Sequence, residues 1–387
     1  MRARWLIFFS VLGITLFYTV VQAERLMPGR RAAAWLASLL LFLLMFGWHF
    51  ILRARRTHSD SPLPRFVTWL AYFSLGIWTT FIFFSLVSDA VGVAVRVVDA
   101  VGSRHVGALF VSFRGSDWLP AALFAIAMGM AGLGFGEALS GPRIEDVALP
   151  IEGLPPSLDG LQIVQLSDLH IGPLIRQGYV EDVVRKTQSL HPDLIAVTGD
   201  LADGRVSALA AQVEPLAKLH APLGVFFVTG NHEYYSGALD WLAKVRELGM
   251  TPLVNENRVL SHGDSRLLIA GVTDPAGRCF VPEHQPDPAK AAESSEPVGV
   301  KILMSHRPDS CYAAEKLGFQ VQLSGHTHGG QFFPFSLLIP LFHKYYRGLY
   351  RFHRLWLYVN PGTGYWGPPH RFLVPAEITR LTLHASA

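Results

Sequence analysis

From residue 168 onward, eight oxygen- and imidazole-bearing residues recur in short polar motifs. They are Asp168 and His170 in "SDLHIGP", Asp200 in "TGDLAD", Asn231 and His232 in "TGNHEYY", His306 in "MSHRPD", and His326 and His328 in "SGHTHGGQ". No cysteine is among them. Oxygen and imidazole donors without thiolate suit hard or borderline divalent metals such as Mn, Fe, Zn or Ni. The donors outnumber what one ion can use. Two ions about 3.5–4 Å apart, sharing one bridging carboxylate, would use them well.

Each motif has an ordinary reading when taken alone. D-x-H, G-D and G-N-H are common turns, and a histidine before Arg307 and Pro308 is commonly a loop residue. G-H-T-H-G says more, because flanking glycines permit positive φ and let both rings approach one point. The ordered set carries the argument, since each member follows a short apolar run: "LQIVQL", "LIAV", "GVFFV", "VKILM" and "VQL". Such runs read as buried strands. A helix over Val180–Leu190 and further strands in "RLLIAGV", "LWLYV" and "AEITRLTL" give a layered α/β pattern. Open α/β sheets bind ligands just beyond the carboxyl ends of their strands, where these polar residues stand. A strand at Glu145–Leu149 opens the unit, and Pro282–Pro297 reads as a mobile surface loop.

The ordered motifs resemble the calcineurin-like metallophosphoesterases: D-x-H, then G-D, then G-N-H-[DE], then a lone histidine, then G-H-x-H. The resemblance spans about Glu145 to Leu383, and the ending "NPGTGYWGPPHRFLVPAEITRLTL" resembles membrane-associated bacterial members. It implies a β-sandwich flanked by helices and two divalent ions, manganese among the candidates. It further implies that Asp168, His170 and His328 hold one ion, that Asn231, His306 and His326 hold the other, and that Asp200 bridges them. His232 would be catalytic, donating a proton to the leaving oxygen or stabilising it. Asp203 and Glu233 have two readings: orienting imidazoles or capping the next helix.

The first 140 or so residues are different in kind. Half of the chain is hydrophobic and only 16% is charged, and no lysine precedes Lys186. Four uncharged runs, Trp5–Ala23, Ala32–Leu52, Phe66–Ser88 and Trp118–Phe135, are each near the roughly 20 residues that span a bilayer. The chain is expected to divide into a transmembrane helical domain, 1–140, with about four spans, and a metallophosphoesterase domain, 141–387. The first run also passes as a signal peptide ending at Val21-Gln22-Ala23. The cluster Arg53, Arg55, Arg56 and Arg65 favours a cytoplasmic loop and, with an even number of spans, a cytoplasmic catalytic domain at a bacterial inner membrane. The segment Asp89–Asp117 is half apolar and could re-enter the membrane.

These features predict a membrane-anchored phosphoesterase that cleaves a phosphoester or pyrophosphate bond by metal-activated hydroxide. Its partners would be a phosphorylated substrate, lipid-linked in one version, and membrane lipids. A transporter or sensor that only binds a phosphorylated ligand is the alternative from another class, but the four runs lack Asp, Glu, Lys and Arg. A cyclic-nucleotide esterase or nuclease is a third. The net charge of +3 and the lack of a basic binding motif argue against nucleic acid. The stretch "FFPFSLLIPLFHKYYRGLYRFHRLW" has two readings: a core-packing loop with a solvated edge, or a patch for the membrane interface. Two cysteines, Cys279 and Cys311, exclude a disulfide framework.

Overall fold

A computed structural model describes residues 2–47, 62–101 and 118–386. The chain forms two compact units, Met1–Phe135 and Gly136–Ala387.

The first unit is helical. Its elements are α1 (Arg2–Leu26), α2 (Arg31–Phe42, continued by a wider turn at Leu43–Gly47), α3 (Pro62–Val101) and most of α4 (Trp118–Leu139). Ala127 and Ala131 of α4 are buried against Ile77 and Phe81 of α3, where small residues let two helices approach closely. Away from that seam, Phe66, Val93, Val97 and Leu133 are exposed, as befits helices surrounded by lipid rather than water. Among the described residues two helices, Phe66–Val98 and Trp118–Leu139, are long and apolar enough to cross a membrane. Of the four expected runs, these two are the clearly apolar, membrane-length helices among the described residues. Arg31–Gly47 is apolar but shorter, and the rest of the Ala32–Leu52 run lies outside the described residues, as do Arg53, Arg55, Arg56 and residues 102–117. Residues 102–117 of the re-entrant candidate lie outside the described residues, and Asp89 belongs to α3. It accepts hydrogen bonds from Tyr18 Oη at 2.8 Å and Arg25 Nη1 at 3.0 Å.

The second unit holds two six-stranded sheets. In chain order the strands are β1 (Arg143–Glu152), β2 (Gln162–Leu166), β3 (Leu194–Val197), β4 (Val225–Phe227), β5 (Thr251–Pro252), β6 (Glu256–His262), β7 (Ser265–Gly271), β8 (Val300–Met304), β9 (Val321–Ser324), β10 (Gly348–Phe352), β11 (Leu355–Val359) and β12 (Glu377–Ser386). One sheet runs β1-β12-β2-β3-β4-β5 and the other β10-β11-β9-β8-β7-β6. The strands β2 to β5 are parallel, as are β7, β8, β9 and β11.

Period-two alternation builds the layers. Ile163, Leu194, Ala196, Leu267, Ile269, Ile302 and Leu323 fill the space between the sheets. Their neighbours Val164, Leu166, Ile195 and Val197 face outward onto α5 (Gln177–Gln188), α6 (Val206–Val213) and a later helix, Ala238–Glu247, through Val183, Val213 and Trp241. Leu268, Ala270 and Leu303 face the opposite flank, against Ala291, Cys311 and Ala314. The sandwich flanked by helices is therefore present. The central strands β2, β3, β4, β8 and β9 are buried on both faces, which is why they read as continuous aliphatic runs. The expectation of a mobile loop at Pro282–Pro297 is corrected. The segment carries a turn at Pro282–His284 and a short helix at Pro288–Ala292, and fully buried Ala291 pins it to the second sheet.

Candidate metal centre

Every motif of the set sits just past the carboxyl end of a strand: Asp168 and His170 after β2, Asp200 after β3, Asn231 and His232 after β4, His306 after β8, and His326 and His328 after β9. The first three groups belong to one sheet and the last two to the other. Gln165, buried between the sheets, ties the two sides by donating through Nε2 to Thr198 Oγ1 and the Ser324 carbonyl, both at 2.9 Å. The backbone is held in an unusual shape here. Asp168, His170, Asp200, His326 and His328 all have φ between 47° and 74°. For non-glycine residues that costs of order 1–3 kcal/mol each, and such strain gathers at functional sites. Glycines make room for the carboxylates. A Cβ on Gly230 would overlap Asp200 Oδ1, and one on Gly325 would overlap Ser167 Oγ and Asp168 Oδ2.

Three groups of ligand atoms converge, each within 4.8 Å: Asp168, His170 and His328; His170, Asp200 and His232; and Asp200, His306 and His326. In the first, His170 Nε2 and His328 Nε2 face each other at 3.0 Å, and His328 Nε2 lies 3.3 Å from Asp168 Oδ1. In the third, His306 Nε2 is 3.2 Å from Asp200 Oδ2 and 3.2 Å from His326 Nδ1. Asp200 belongs to two of the three groups, with Oδ2 also 3.8 Å from His170 Nε2. Asn231 completes the picture differently. It is buried, and its Oδ1 has no hydrogen-bond partner among the described residues. Leaving such an oxygen unpaired costs of order 1–3 kcal/mol, and coordination to a cation would remove that cost.

Supporting contacts fix the ring orientations. His306 Nδ1–H donates to the Thr198 carbonyl at 2.8 Å, which turns Nε2 toward Asp200. Asp203 Oδ1 accepts from His170 Nδ1 at 2.8 Å and from His232 Nδ1 at 2.6 Å. Asp203 thus takes the imidazole-orienting role. Glu233 takes the capping role instead. Its carboxylate accepts backbone N–H groups of Gly230, Asp200 and Leu201 at 2.7, 3.0 and 2.8 Å. Sequence reasoning missed Arg371. It is fully buried, donates to the carbonyls of Pro361 and Val374, and brings Nη2 to 3.3 Å from His328 Nδ1. The only signal was a lone arginine between apolar and proline residues in "PPHRFLVP".

Charge and burial oppose each other throughout the site. Burial would raise the carboxyl of Asp168, but the His328 and His306 rings hold it below the usual range. Burial likewise opposes Asp200, and His306, His170 and His232 lower it. For His306, burial would lower the imidazole, yet Asp200 and Asp168 lift it to about 10. His232 is lifted against burial to about 9 by the Asp203 hydrogen bond and Asp200. Burial, with His306 and Arg307 nearby, pushes His326 down to about 3. Burial also pushes His328 down to about 4 despite Asp168. A pocket that traps protons on buried imidazoles beside ionised carboxylates offers the same negative charge to cations.

Around His232 the surface is aromatic. Tyr235 and Trp366 place their rings 5.5 and 6.1 Å from its ring, Phe280 packs on Tyr235 at 5.8 Å, and all three are exposed.

The profile of the family described as calcineurin-like phosphoesterase matches residues 161–330, the stretch that holds every motif of the set. A Danio rerio protein named "Transmembrane protein with metallophosphoesterase domain" is 31% identical across 99% of this chain and 89% of that protein. A Bos taurus protein of the same name is 35% identical across 84% of this chain and 75% of its own. An uncharacterized metallophosphoesterase of Helicobacter pylori (strain J99 / ATCC 700824) is 33% identical across 78% of both. The two vertebrate relatives are named for a transmembrane part, and the likeness to the Danio rerio protein extends over the helical unit. The chain belongs to the calcineurin-like phosphoesterase family of hydrolases, among relatives named for a transmembrane part.

Proposed function

We propose that the protein is a membrane-anchored phosphoesterase with a dinuclear metal centre. Asp168, His170 and His328 would hold one divalent ion and Asn231, His306 and His326 the other, with Asp200 shared between them. One observation carries this reading: ligand atoms of Asp168, His170, Asp200, His232, His306, His326 and His328 converge in three groups that share His170 and Asp200, and Asn231, which opens the helix next to His232, has a buried Oδ1 with no partner among the described residues. The donor chemistry fits Mn, Fe, Zn or Ni. When bound, such cations make water acidic enough to act as a nucleophile near neutral pH and offset charge on phosphoryl oxygens.

The protein's own groups divide the remaining work. Asp203 holds the Nδ1–H of His232, so the Nε2 proton of that ring faces the site and is available to the leaving oxygen. His170 is held by the same carboxylate, which couples the orientation of a metal ligand to that of the proton donor. Arg371 braces His328 from behind. Gly230 and Gly325 keep the carboxylates close to the backbone, where the N–H of His232 donates to Asp200 Oδ1 at 2.8 Å and that of His326 to Asp168 Oδ2 at 3.0 Å.

The substrate in this reading is a phosphoester or pyrophosphate held at the membrane, such as a lipid-linked pyrophosphate. Two membrane-length helices in the chain and the exposed aromatic rings around His232 support it. Tethering enzyme and substrate to one surface raises their effective concentration. The catalytic unit is placed in the cytoplasm at an inner membrane. The motive is Arg65 with Arg53, Arg55 and Arg56, together with the two membrane-length helices among the described residues.

The test is a hydrolysis screen with the full chain in lipid nanodiscs. Soluble phosphomonoesters, phosphodiesters and pyrophosphates are compared with lipid-borne versions of the same bonds. Faster turnover of the lipid-borne forms is expected. Equal rates on both would remove the membrane-held substrate, and no hydrolysis of any phosphoester under any divalent metal would remove the enzyme reading.

A further inference from the structure

The segment that follows the two histidines, Phe332 to Leu349, divides its apolar residues in two. Phe333 and Tyr345 are buried. Phe335, Leu337, Leu341 and Phe342 are not: they are 48%, 57%, 77% and 76% exposed. Single exposed apolar side chains are ordinary, but four from one short segment are not. Two turns of helix, Phe335–Leu338 and Ile339–Leu341, present them. Exposed Lys344 and Arg347 follow directly.

The same segment braces the histidine loop. Thr327 Oγ1 donates to the Tyr346 carbonyl at 2.5 Å. The ring of His343 lies 6.0 Å from that of His326. Gly330 passes so close to Phe335 and Ser336 that a Cβ would meet their backbone at 2.7 Å, and the side chain of Arg347 covers Gly329.

We infer that Phe335, Leu337, Leu341 and Phe342 form a surface that seats in an anionic lipid bilayer beside the metal centre. Apolar side chains enter the acyl boundary while Lys344 and Arg347 meet anionic headgroups, the pattern of an interfacial segment. A cation pair beside an apolar tip selects a membrane over an apolar protein groove, and the helices of this chain that are long enough to cross a membrane supply one. This rests on the membrane-anchored reading and adds to it the face that meets the lipid. Because the braced loop carries His326 and His328, a substrate headgroup at that face needs no excursion into water to reach the ligands.

The test uses the full chain in nanodiscs of phosphatidylglycerol and phosphatidylcholine that carry lipid-borne quenchers. In a Cys279→Ser background, a fluorophore is attached at Leu341→Cys and, separately, at Asp264→Cys in the exposed β6–β7 turn. Several-fold stronger quenching at position 341 than at 264 is expected, with a loss of that excess in Lys344→Glu. Equal quenching at the two positions overturns the inference. The double substitution Leu341→Ser with Phe342→Ser is expected to leave bound metal and turnover of a soluble aryl phosphodiester unchanged. Loss of either would show that the two residues serve packing, and would overturn it as well. Absence of turnover of every phosphomonoester, phosphodiester and pyrophosphate in the parent chain would instead remove the enzymatic reading and leave the quenching result standing.

Discussion

The helical unit and the sandwich unit use apolar residues in opposite ways. In α3 and α4 many stay exposed, Phe66, Val93, Val97 and Leu133 among them, while Ile77, Phe81, Ala127 and Ala131 pack together. In the sandwich the central strands are buried on both faces, and their polar residues gather past their carboxyl ends. The first arrangement needs only hydrophobicity over enough length. The second needs each residue in its place, because a strand shifted by one residue would turn its core face outward and carry Asp168 or Asp200 away from the site. Substitutions in the two units should therefore differ greatly in effect.

The largest difference is expected at Asp200. Asp200→Asn should lower phosphoesterase turnover by about 10³-fold or more, since several kcal/mol of charge stabilisation go with the ion pair it bridges. His232→Ala should cost roughly 10²–10⁴-fold, the usual worth of a positioned proton donor, yet keep its metal. Steady-state rates and metal content of both variants separate the roles. If His232→Ala lost as much metal as Asp200→Asn, the division would be wrong. Gly230→Ala should approach Asp200→Asn in effect although it removes no functional group, because the added Cβ displaces the Asp200 carboxylate. Activity near that of the parent would contradict the close approach.

Stability sharpens the same contrast. Trp241 is fully buried and donates its Nε1–H to the Gly204 carbonyl at 2.9 Å. Trp241→Ala should cost about 3–5 kcal/mol. Leu133→Ala, on an exposed face of α4, should cost within about 0.5 kcal/mol. Thermal unfolding of the full chain in one detergent compares them, and equal losses would undo the distinction.

A smaller effect comes from pH. In the metal-free protein His306 is lifted to about 10, so it holds a proton at neutral pH. Its folded value lies above its ordinary 6.5. The stabilisation it gives the metal-free fold is therefore complete below pH 6.5 and lost as pH rises toward 10. Metal binding must expel that proton, so metal affinity should rise with pH over the same window. Calorimetry in buffers of different ionisation enthalpy should detect proton release, and less of it should appear in His306→Asn.

The legibility of the two units in the sequence also differed. The strands and their ends were readable because each is a short aliphatic run followed by Asp, Asn or His with glycine alongside, and both signals are local. The helix at Gln177–Gln188 and the strand at Arg143–Glu152 fell close to where the pattern placed them. What stayed hidden depends on partners distant in sequence. Asp203 and Glu233 look alike on paper. Only the approach of His170 and His232 to one, and of three backbone N–H groups to the other, separates them. Arg371 is held by carbonyls of its own loop and reaches His328, 43 residues earlier in the chain. In the helical unit, composition marked apolar runs but not where helical geometry changes, as it does at Leu43–Gly47.

The central claim is a pair of metal ions bridged by Asp200, and metal counting tests it most directly. The full chain is purified, stripped with chelator, reloaded with manganese or zinc, and analysed for metal per chain beside Asp200→Asn and Asn231→Ala. Two ions per chain are predicted for the parent, and no more than one for each variant. One ion per chain in the parent, or two retained in Asp200→Asn, would contradict the account.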